Sequence, residues 1–276
     1  MNKRICLLAG YDKKNTLQDY VLYLARKLSK LSDVYYFADG NFQQKELDKI
    51  LPYVQYAAAY PHRTYDFGSW QCLISHIGWQ KIMTYDEMII CNDSIYGPMS
   101  NMQDIFDYMN LRDYDFWGLT ENYNSNYHLD SYFMVFKQDI LKHPKFHEFW
   151  NNITPSSNRK VYESILTPFL TELGFTGNSY IKNYKKEDQL AYPLRLFKTS
   201  RMPFIRVNTL KHPETNLKEP VLYIDSRIEN KTGYRAELIR NHLKEEEESF
   251  SGFGLPYYLK KSADRIRQKM SRTLKS

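Results

Sequence analysis

Four stretches of this 276-residue chain set a carboxylate just past a buried-looking apolar run. They are Gly10-Tyr11-Asp12, Asp39-Gly40-Asn41, Tyr65-Asp66-Phe67-Gly68-Ser69-Trp70 and Asn92-Asp93-Ser94, the last followed by Tyr96-Gly97-Pro98. Asp and Gly are ordinary turn formers, so any one of these reads equally well as a plain turn. Four in succession at strand ends point to a ligand site. An acidic edge suits a divalent cation shared with a substrate phosphate, because Mg²⁺ takes only one or two protein carboxylates and fills its shell with phosphate oxygens and water. Asp93 is the expected metal ligand, for Mg²⁺ or Mn²⁺, with Asn92 and Ser94 adding neutral oxygens. The glycine fingerprint of dinucleotide folds is missing after the first run, and so is a phosphate loop ending in Gly-Lys-Ser/Thr. This argues against a dehydrogenase and a P-loop kinase. No Ser-His-Asp or Cys-His arrangement can be argued, and His62, His76 and His143 have no metal-type spacing.

These residues need a scaffold of alternating strands and helices. Strands are expected at 4–9, 34–38, 54–59 and 87–91. Helices are expected from Asn15/Thr16 to Leu31, from Gln43 to Leu51 before Pro52, and from Gly68 to Met83. Leu17, Tyr20, Val21, Leu24, Leu28 and Leu31 form one apolar helical face. Such alternation implies parallel βαβ units, with ligands bound outside the carboxyl ends of the strands. Farther on, 115–120, 131–136 and 175–180 read as strands, and 138–152, 158–173 (capped by Gly174) and 234–247 as helices. The fold class is therefore α/β, a mostly parallel sheet flanked by helices, with a C-terminal helical extension.

The net charge of +6 is localised. Residues 257–276 carry seven Lys and Arg side chains against one acid, Asp264, and so hold the whole excess, leaving the body neutral. The basic pI of about 8.9 thus describes the tail and gives no reason to expect nucleic acid as a partner. In the tail, Leu259, Ala263, Ile266, Met270 and Leu274 line one helical face, the pattern of a helix lying on anionic lipid; a solubilising tail or a protein-docking helix fits as well. A domain at 1–244 and a linker with basic tail at 245–276 are expected. Cys6, Cys72 and Cys91 read as reduced core residues of a cytosolic protein. No signal peptide or membrane-length apolar run is visible. The aromatic content of 16%, with 24 Tyr, fits either a compositional bias or a surface that stacks on sugars.

Several blocks together resemble one family. Tyr65–Trp70, Asn92–Pro98, Asp115-Phe116-Trp117-Gly118-Leu119-Thr120, His128-Leu129-Asp130-Ser131-Tyr132-Phe133-Met134-Val135-Phe136, Pro203-Phe204-Ile205-Arg206 and Thr232-Gly233-Tyr234 occur in the order found in rhamnan synthesis F glycosyltransferases. The resemblance spans roughly residues 1–243. It implies a GT-A-like, Rossmann-type nucleotide-sugar fold. It further implies transfer of a sugar, typically rhamnose from dTDP-rhamnose, to a lipid-linked bacterial surface polysaccharide, such as a cell-wall, capsule or O-antigen chain. Asn92-Asp93-Ser94 stands where GT-A enzymes carry Asp-x-Asp, leaving one firm carboxylate. Asp12, Asp39 and Asp66, with Gly10, Tyr11, Tyr65, Gly68 and Ser69, fall where such folds hold nucleotide and sugar. Asp130 replaces an expected amide, which argues against a family role for it.

A β-linked donor that gives an α-linked product needs inversion, and hence a general base on the acceptor hydroxyl. Val161-Tyr162-Glu163-Ser164 resembles the helix start that carries the base in related GT-A enzymes, so Glu163 is the expected base, with Glu121 and Asp130 in reserve; a favourable first-turn acid is the plainer reading of Glu163. Trp117, Thr120, Glu121 and His128 are expected on the acceptor or sugar side, though core packing is the first reading of Trp117. Lys13 and Lys14 keep a nucleotidyltransferase open, and Asn92, read as a degraded metal ligand, keeps a non-catalytic nucleotide-sugar-binding subunit open. Expected partners are the donor, the lipid-linked acceptor, other polysaccharide synthesis enzymes and an anionic membrane. The expected location is the cytoplasmic face of the cell membrane.

Overall fold

The computed structural model describes residues 2–124, 126–155, 161–186, 188–193, 195–196, 202–211, 228–230 and 232–250. The expected linker from 251 on and the basic tail at 257–276 lie outside the described residues. The elements in chain order are β1 Arg4–Gly10, α1 Asp19–Leu28, β2 Asp33–Ala38, α2 Gln44–Leu47, β3 Tyr56–Ala59, α3 Tyr65–Ile77, α4 Trp79–Ile82, β4 Glu87–Asn92, β5 Ile95–Tyr96, α5 Met102–Asn110, β6 Phe116–Gly118, β7 Glu121–Asn122, β8 His128–Leu129, β9 Phe133–Lys137, α6 Gln138–Leu141, α7 Pro144–Asn151, α8 Val161–Glu172, β10 Gly177–Ser179 and β11 Ile205–Arg206. A short helix, Val207–Lys211, and a longer one, Glu237–Phe250, follow.

Seven strands form one sheet in the order β10-β6-β9-β4-β1-β2-β3. All run parallel except β9, which is antiparallel to both neighbours. Apolar runs buried on both faces explain the central strands. Along β1, Cys6 and Leu8 enter one core while Ile5, Leu7 and Ala9 enter the other. The same parity splits Ile89 and Cys91 from Met88 and Ile90 in β4. One core takes the apolar faces of α1, α5 and Glu237–Phe250; the other takes α3, α6, α7 and α8. Each fully buried Leu, Ile or Phe contributes about 1.5–3 kcal/mol, so β1 and β4 anchor both layers.

The amino ends of these strands are tied by a buried ion pair between Arg4 and Glu87, register partners across β1 and β4. The Arg4 guanidinium also lies 4.0 Å over the Phe106 ring. Removing one partner would strand a buried charge, a loss of about 3–5 kcal/mol. This pair fixes the register at the end opposite the candidate site.

The α/β class and the flanking helices match the expectation. The differences are local and physical. The helix expected from Asn15/Thr16 starts at Asp19, because Asn15 takes a left-handed φ of 55° and Thr16 bonds to Asp12. The helix expected over 68–83 is two, broken at Gly78 with φ 80°. The one expected over 138–152 also divides, with Pro144 opening its second part. Pro52 sits inside a one-turn 3₁₀ helix, Leu51–Tyr53, instead of ending α2. Cys72 is half-buried beside the Tyr60 hydroxyl, at 3.1 Å, where a core position was expected.

Candidate active site

The site is the carboxyl edge of β1 to β4. Asp93 follows β4 and is 5% exposed. Its Oδ2 accepts a hydrogen bond from the Tyr11 N–H at 2.9 Å, and its own N–H donates to the Ala9 carbonyl at 3.0 Å. The turns after β1 and β4 are thereby locked together. Burial, with the Asp66 and Asp12 carboxylates nearby, pushes the Asp93 carboxyl well above the usual carboxylate range. Gly10 is required because a Cβ there would collide with the Tyr36 hydroxyl.

Asn92 has a defined job. Its Nδ2 donates to Asp66 Oδ2 at 2.8 Å, and its Oδ1 accepts the Ser94 N–H at 3.2 Å. A carboxylate at 92 could not donate to Asp66 and would face it as a like charge. The amide therefore holds Asp66 in place.

Asp39, Gly68 and Ser69 position a strap that the sequence reading did not single out. Asp39 Oδ1 accepts the N–H groups of His62 and Arg63 at 3.0 and 3.2 Å. His62 Nδ1 accepts the Thr64 N–H at 3.1 Å, so Nε2 carries the proton toward Ser69 Oγ at 3.0 Å. This neutral tautomer agrees with burial lowering the His62 pKa. Gly68 is needed because a Cβ would stand 2.5 Å from both His62 Nδ1 and Thr64 Cβ. The strap delivers Tyr65, at φ 56°, and Asp66 to the first turn of α3. A histidine three residues past β3 and six before a Gly-Ser pair was the available signal. Asp12 is likewise spent on structure: it accepts from Lys14 N, Thr16 N, Thr16 Oγ1 and Gln18 Nε2.

The antiparallel β9 starts at this same edge, which brings residues 128–132 to it. Glu163, in the first turn of α8, accepts two bonds at Oε1, from Ser131 N and Ser131 Oγ, both 2.9 Å. Thr120 Oγ1 donates to Asp130 Oδ2 at 2.6 Å and lies 2.9 Å from the Tyr132 hydroxyl. Glu121 is buried and bonded by Ser179 Oγ at 2.7 Å, Asn183 N at 2.7 Å and Lys182 Nζ at 3.5 Å. His128 is 4% exposed with Nδ1 2.8 Å from the Asn126 carbonyl. Trp117 takes its core reading: it is fully buried against Phe106 and Phe133, not on the acceptor side. A separate cleft of about 470 Å³ lies between the loop after β1, Lys49 and the Glu237–Phe250 helix, and its Lys14 and Lys49 are engaged by the Glu245 carbonyl and Glu46.

The rhamnan synthesis protein F family model matches residues 34–275 of the chain. The chain belongs to that family. The match runs on through the basic tail, which the block-by-block resemblance had left outside. The protein y4gN of Sinorhizobium fredii (strain NBRC 101917 / NGR234), of uncharacterised role, is 24% identical over 160 residues, 56% of this chain and 41% of that protein. The chain therefore spans less than half of that relative. Among solved structures, the glycosyltransferase GlyE of Streptococcus pneumoniae TIGR4 is similar with a TM-score of 0.50, at 10% identity, over 90% of this chain and 64% of that one. A nucleotide-diphospho-sugar transferase from Desulfovibrio desulfuricans G20 aligns with a TM-score of 0.42 at 12% identity, covering 87% of this chain and 98% of that one. The fold of this rhamnan synthesis F member is GT-A-like.

Among the described residues no three His, Cys, Asp or Glu side chains cluster as a ready-made metal cage. The donor set still fits a cation whose remaining ligands come from a phosphate: one buried carboxylate, Asp93, with the Asp66 and Asp12 charges behind it. A raised carboxyl has a definite pH signature. At acid pH both folded and unfolded Asp93 hold the proton; as pH rises past 3.8, the unfolded carboxyl ionises first and the ligand-free fold loses stability until the folded carboxyl ionises too. Asp93→Asn should therefore raise the melting temperature of the ligand-free protein at pH 7, by about 2–4 °C, with the gain vanishing toward pH 4. Melting curves across pH check this; an unchanged or lowered melting temperature at pH 7 would contradict it.

Proposed function

We propose that this chain is a glycosyltransferase that seats a nucleotide-diphospho-sugar at the carboxyl edge of β1 to β4 and passes the sugar to an acceptor hydroxyl held from the β9 side. The observation that carries the reading is the pairing on one edge of buried Asp93 with Glu163, each held by backbone N–H donors. In finer detail, the reaction is inverting transfer of L-rhamnose from dTDP-rhamnose to a lipid-linked surface polysaccharide; this rests on family membership. Lys14, one of the two lysines that kept a nucleotidyltransferase open, bonds to the Glu245 carbonyl, and Asn92 donates to Asp66.

In this mechanism Asp93 would hold a Mg²⁺ or Mn²⁺ ion, which when bound offsets charge on the diphosphate. Asn92 keeps Asp66 aimed at the donor. Ser131 orients Glu163 through Oε1, leaving the other carboxylate oxygen to take the acceptor proton as the acceptor oxygen attacks the anomeric carbon. Glu163→Gln preserves an acceptor oxygen for Ser131 but cannot take a proton. It should lower kcat by about 10²–10⁴-fold while donor affinity stays near wild type. The readout is turnover of a nucleotide-sugar panel with and without Mg²⁺ or Mn²⁺, alongside donor binding by calorimetry. A Gln variant with wild-type turnover would remove Glu163 from the role.

The membrane contribution belongs to residues 257–276, with each basic side chain near an anionic surface worth about 1 kcal/mol. No helix among the described residues is long and apolar enough to cross a membrane. Removing 257–276 should abolish sedimentation with anionic vesicles and leave nucleotide binding intact. Retained sedimentation would show that the tail is not the anchor.

A further inference from the structure

One family block, Pro203-Phe204-Ile205-Arg206, has no part in the mechanism above, yet it is built into the site. β11 pairs antiparallel with β5, which begins two residues after Asp93. Arg206 stands opposite Ile95, and the Val207 N–H donates to the Ser94 carbonyl at 2.9 Å. Successive residues of a strand face opposite ways. Ile205 is 1% exposed and enters the core, so Arg206 is directed to the other side, where it is half-buried. Its guanidinium lies 5.9 Å from the centroid of the Tyr132 ring. Tyr132 directly follows Ser131, whose N–H and O–H hold Glu163. Arg206 is thus tied on one side to the Asp93–Ser94 turn and on the other to the segment that positions Glu163.

Its charge is uncommitted among the described residues. Arg4, Lys49, Lys182 and Arg235 each pair with a carboxylate there, whereas no described carboxylate pairs with Arg206. A half-buried guanidinium at an edge otherwise lined by Asp12, Asp66, Asp93 and Asp130 matches an anion that arrives with the substrate. A diphosphate suits it best, because the planar fork of Arg offers paired N–H donors to phosphate oxygens.

We propose that Arg206 binds the diphosphate of the nucleotide-sugar donor and stabilises it as the leaving group. This rests on the donor-site reading above. In the step, the bond between the anomeric carbon and the diphosphate oxygen breaks and its electron pair stays on that oxygen. The acceptor oxygen forms the new bond, its proton goes to Glu163, and Arg206 remains protonated throughout. The added negative charge on the departing diphosphate strengthens the Arg206 contact as the reaction proceeds.

The test is calorimetric binding of dTDP, UDP and GDP, each beside its monophosphate and beside farnesyl diphosphate as a lipid diphosphate, to wild type, Arg206→Lys and Arg206→Gln. Thermal melts select variants that are folded, and the conservative Lys variant keeps the charge if Gln does not fold. Wild type should prefer one nucleoside diphosphate over its monophosphate. Arg206→Gln should lose about 10- to 100-fold in affinity for the diphosphate with little change for the monophosphate, and Arg206→Lys should fall between. Wild-type diphosphate affinity in the folded Gln variant, or loss confined to farnesyl diphosphate, overturns the assignment to the donor. If wild type binds no nucleoside diphosphate at all, the donor-site reading itself fails, and that outcome is distinct from a wild type that binds and a variant that binds equally.

Discussion

A carboxylate buried where two adjacent parallel strands end sets the terms for this protein. Asp93 can occupy that position only because β1 and β4 run side by side, so that Tyr11 N–H reaches its oxygen and its own N–H reaches Ala9. Burying such a group is unfavourable unless something compensates it. The surroundings within the described chain add further negative charge from Asp66 and Asp12. Such an arrangement suits the ligand proposed above, a cation shared with a phosphate. The neighbouring choices follow. Position 92 must donate to Asp66, which selects an amide; position 68 must accommodate His62 and Thr64, which selects glycine.

The antiparallel β9 makes the second half of the site. A parallel strand there would send residues 128–132 to the opposite end of the sheet. Reversed, it delivers Asp130, Ser131 and Tyr132 to the Asp93 edge, and Ser131 reaches across to Glu163 on α8. The Asp93 side is thus assembled by βαβ geometry and the Glu163 side by the reversed strand. The two halves meet through one continuous sheet, so the spacing between them is set by strand pairing and not by a hinge. The charge pattern is compatible with this division, since the body is neutral overall and the excess charge sits in 257–276.

Much of this was legible in the sequence. Of the first four strands, β1, β2 and β4 stand out with their acidic ends because long apolar runs leave little ambiguity, while β3 is a partly buried edge strand. The antiparallel direction of β9 was not legible, because an apolar run such as Phe133–Phe136 reads the same in either direction. The roles of Asp12, Asp39, Gly68 and Ser69 as supports for neighbouring loops were hidden for a related reason: a carboxylate that holds a backbone turn and one that holds a ribose look alike until partners are known. Trp117 was ambiguous by type, and only its packing against Phe106 and Phe133 assigns it to the core. The supporting role of His62 was hidden because its partner, Ser69, lies across a loop whose path depends on Asp39.

The most direct measurement is a crystal structure grown with dTDP and Mn²⁺, with anomalous scattering used to locate the metal. A manganese peak is expected against the Asp93 carboxylate, with the diphosphate lying between it and the segment from Ser131 to Tyr132. Nucleotide bound instead in the cleft beside Lys14, Lys49 and His242, with no metal at Asp93, would contradict it.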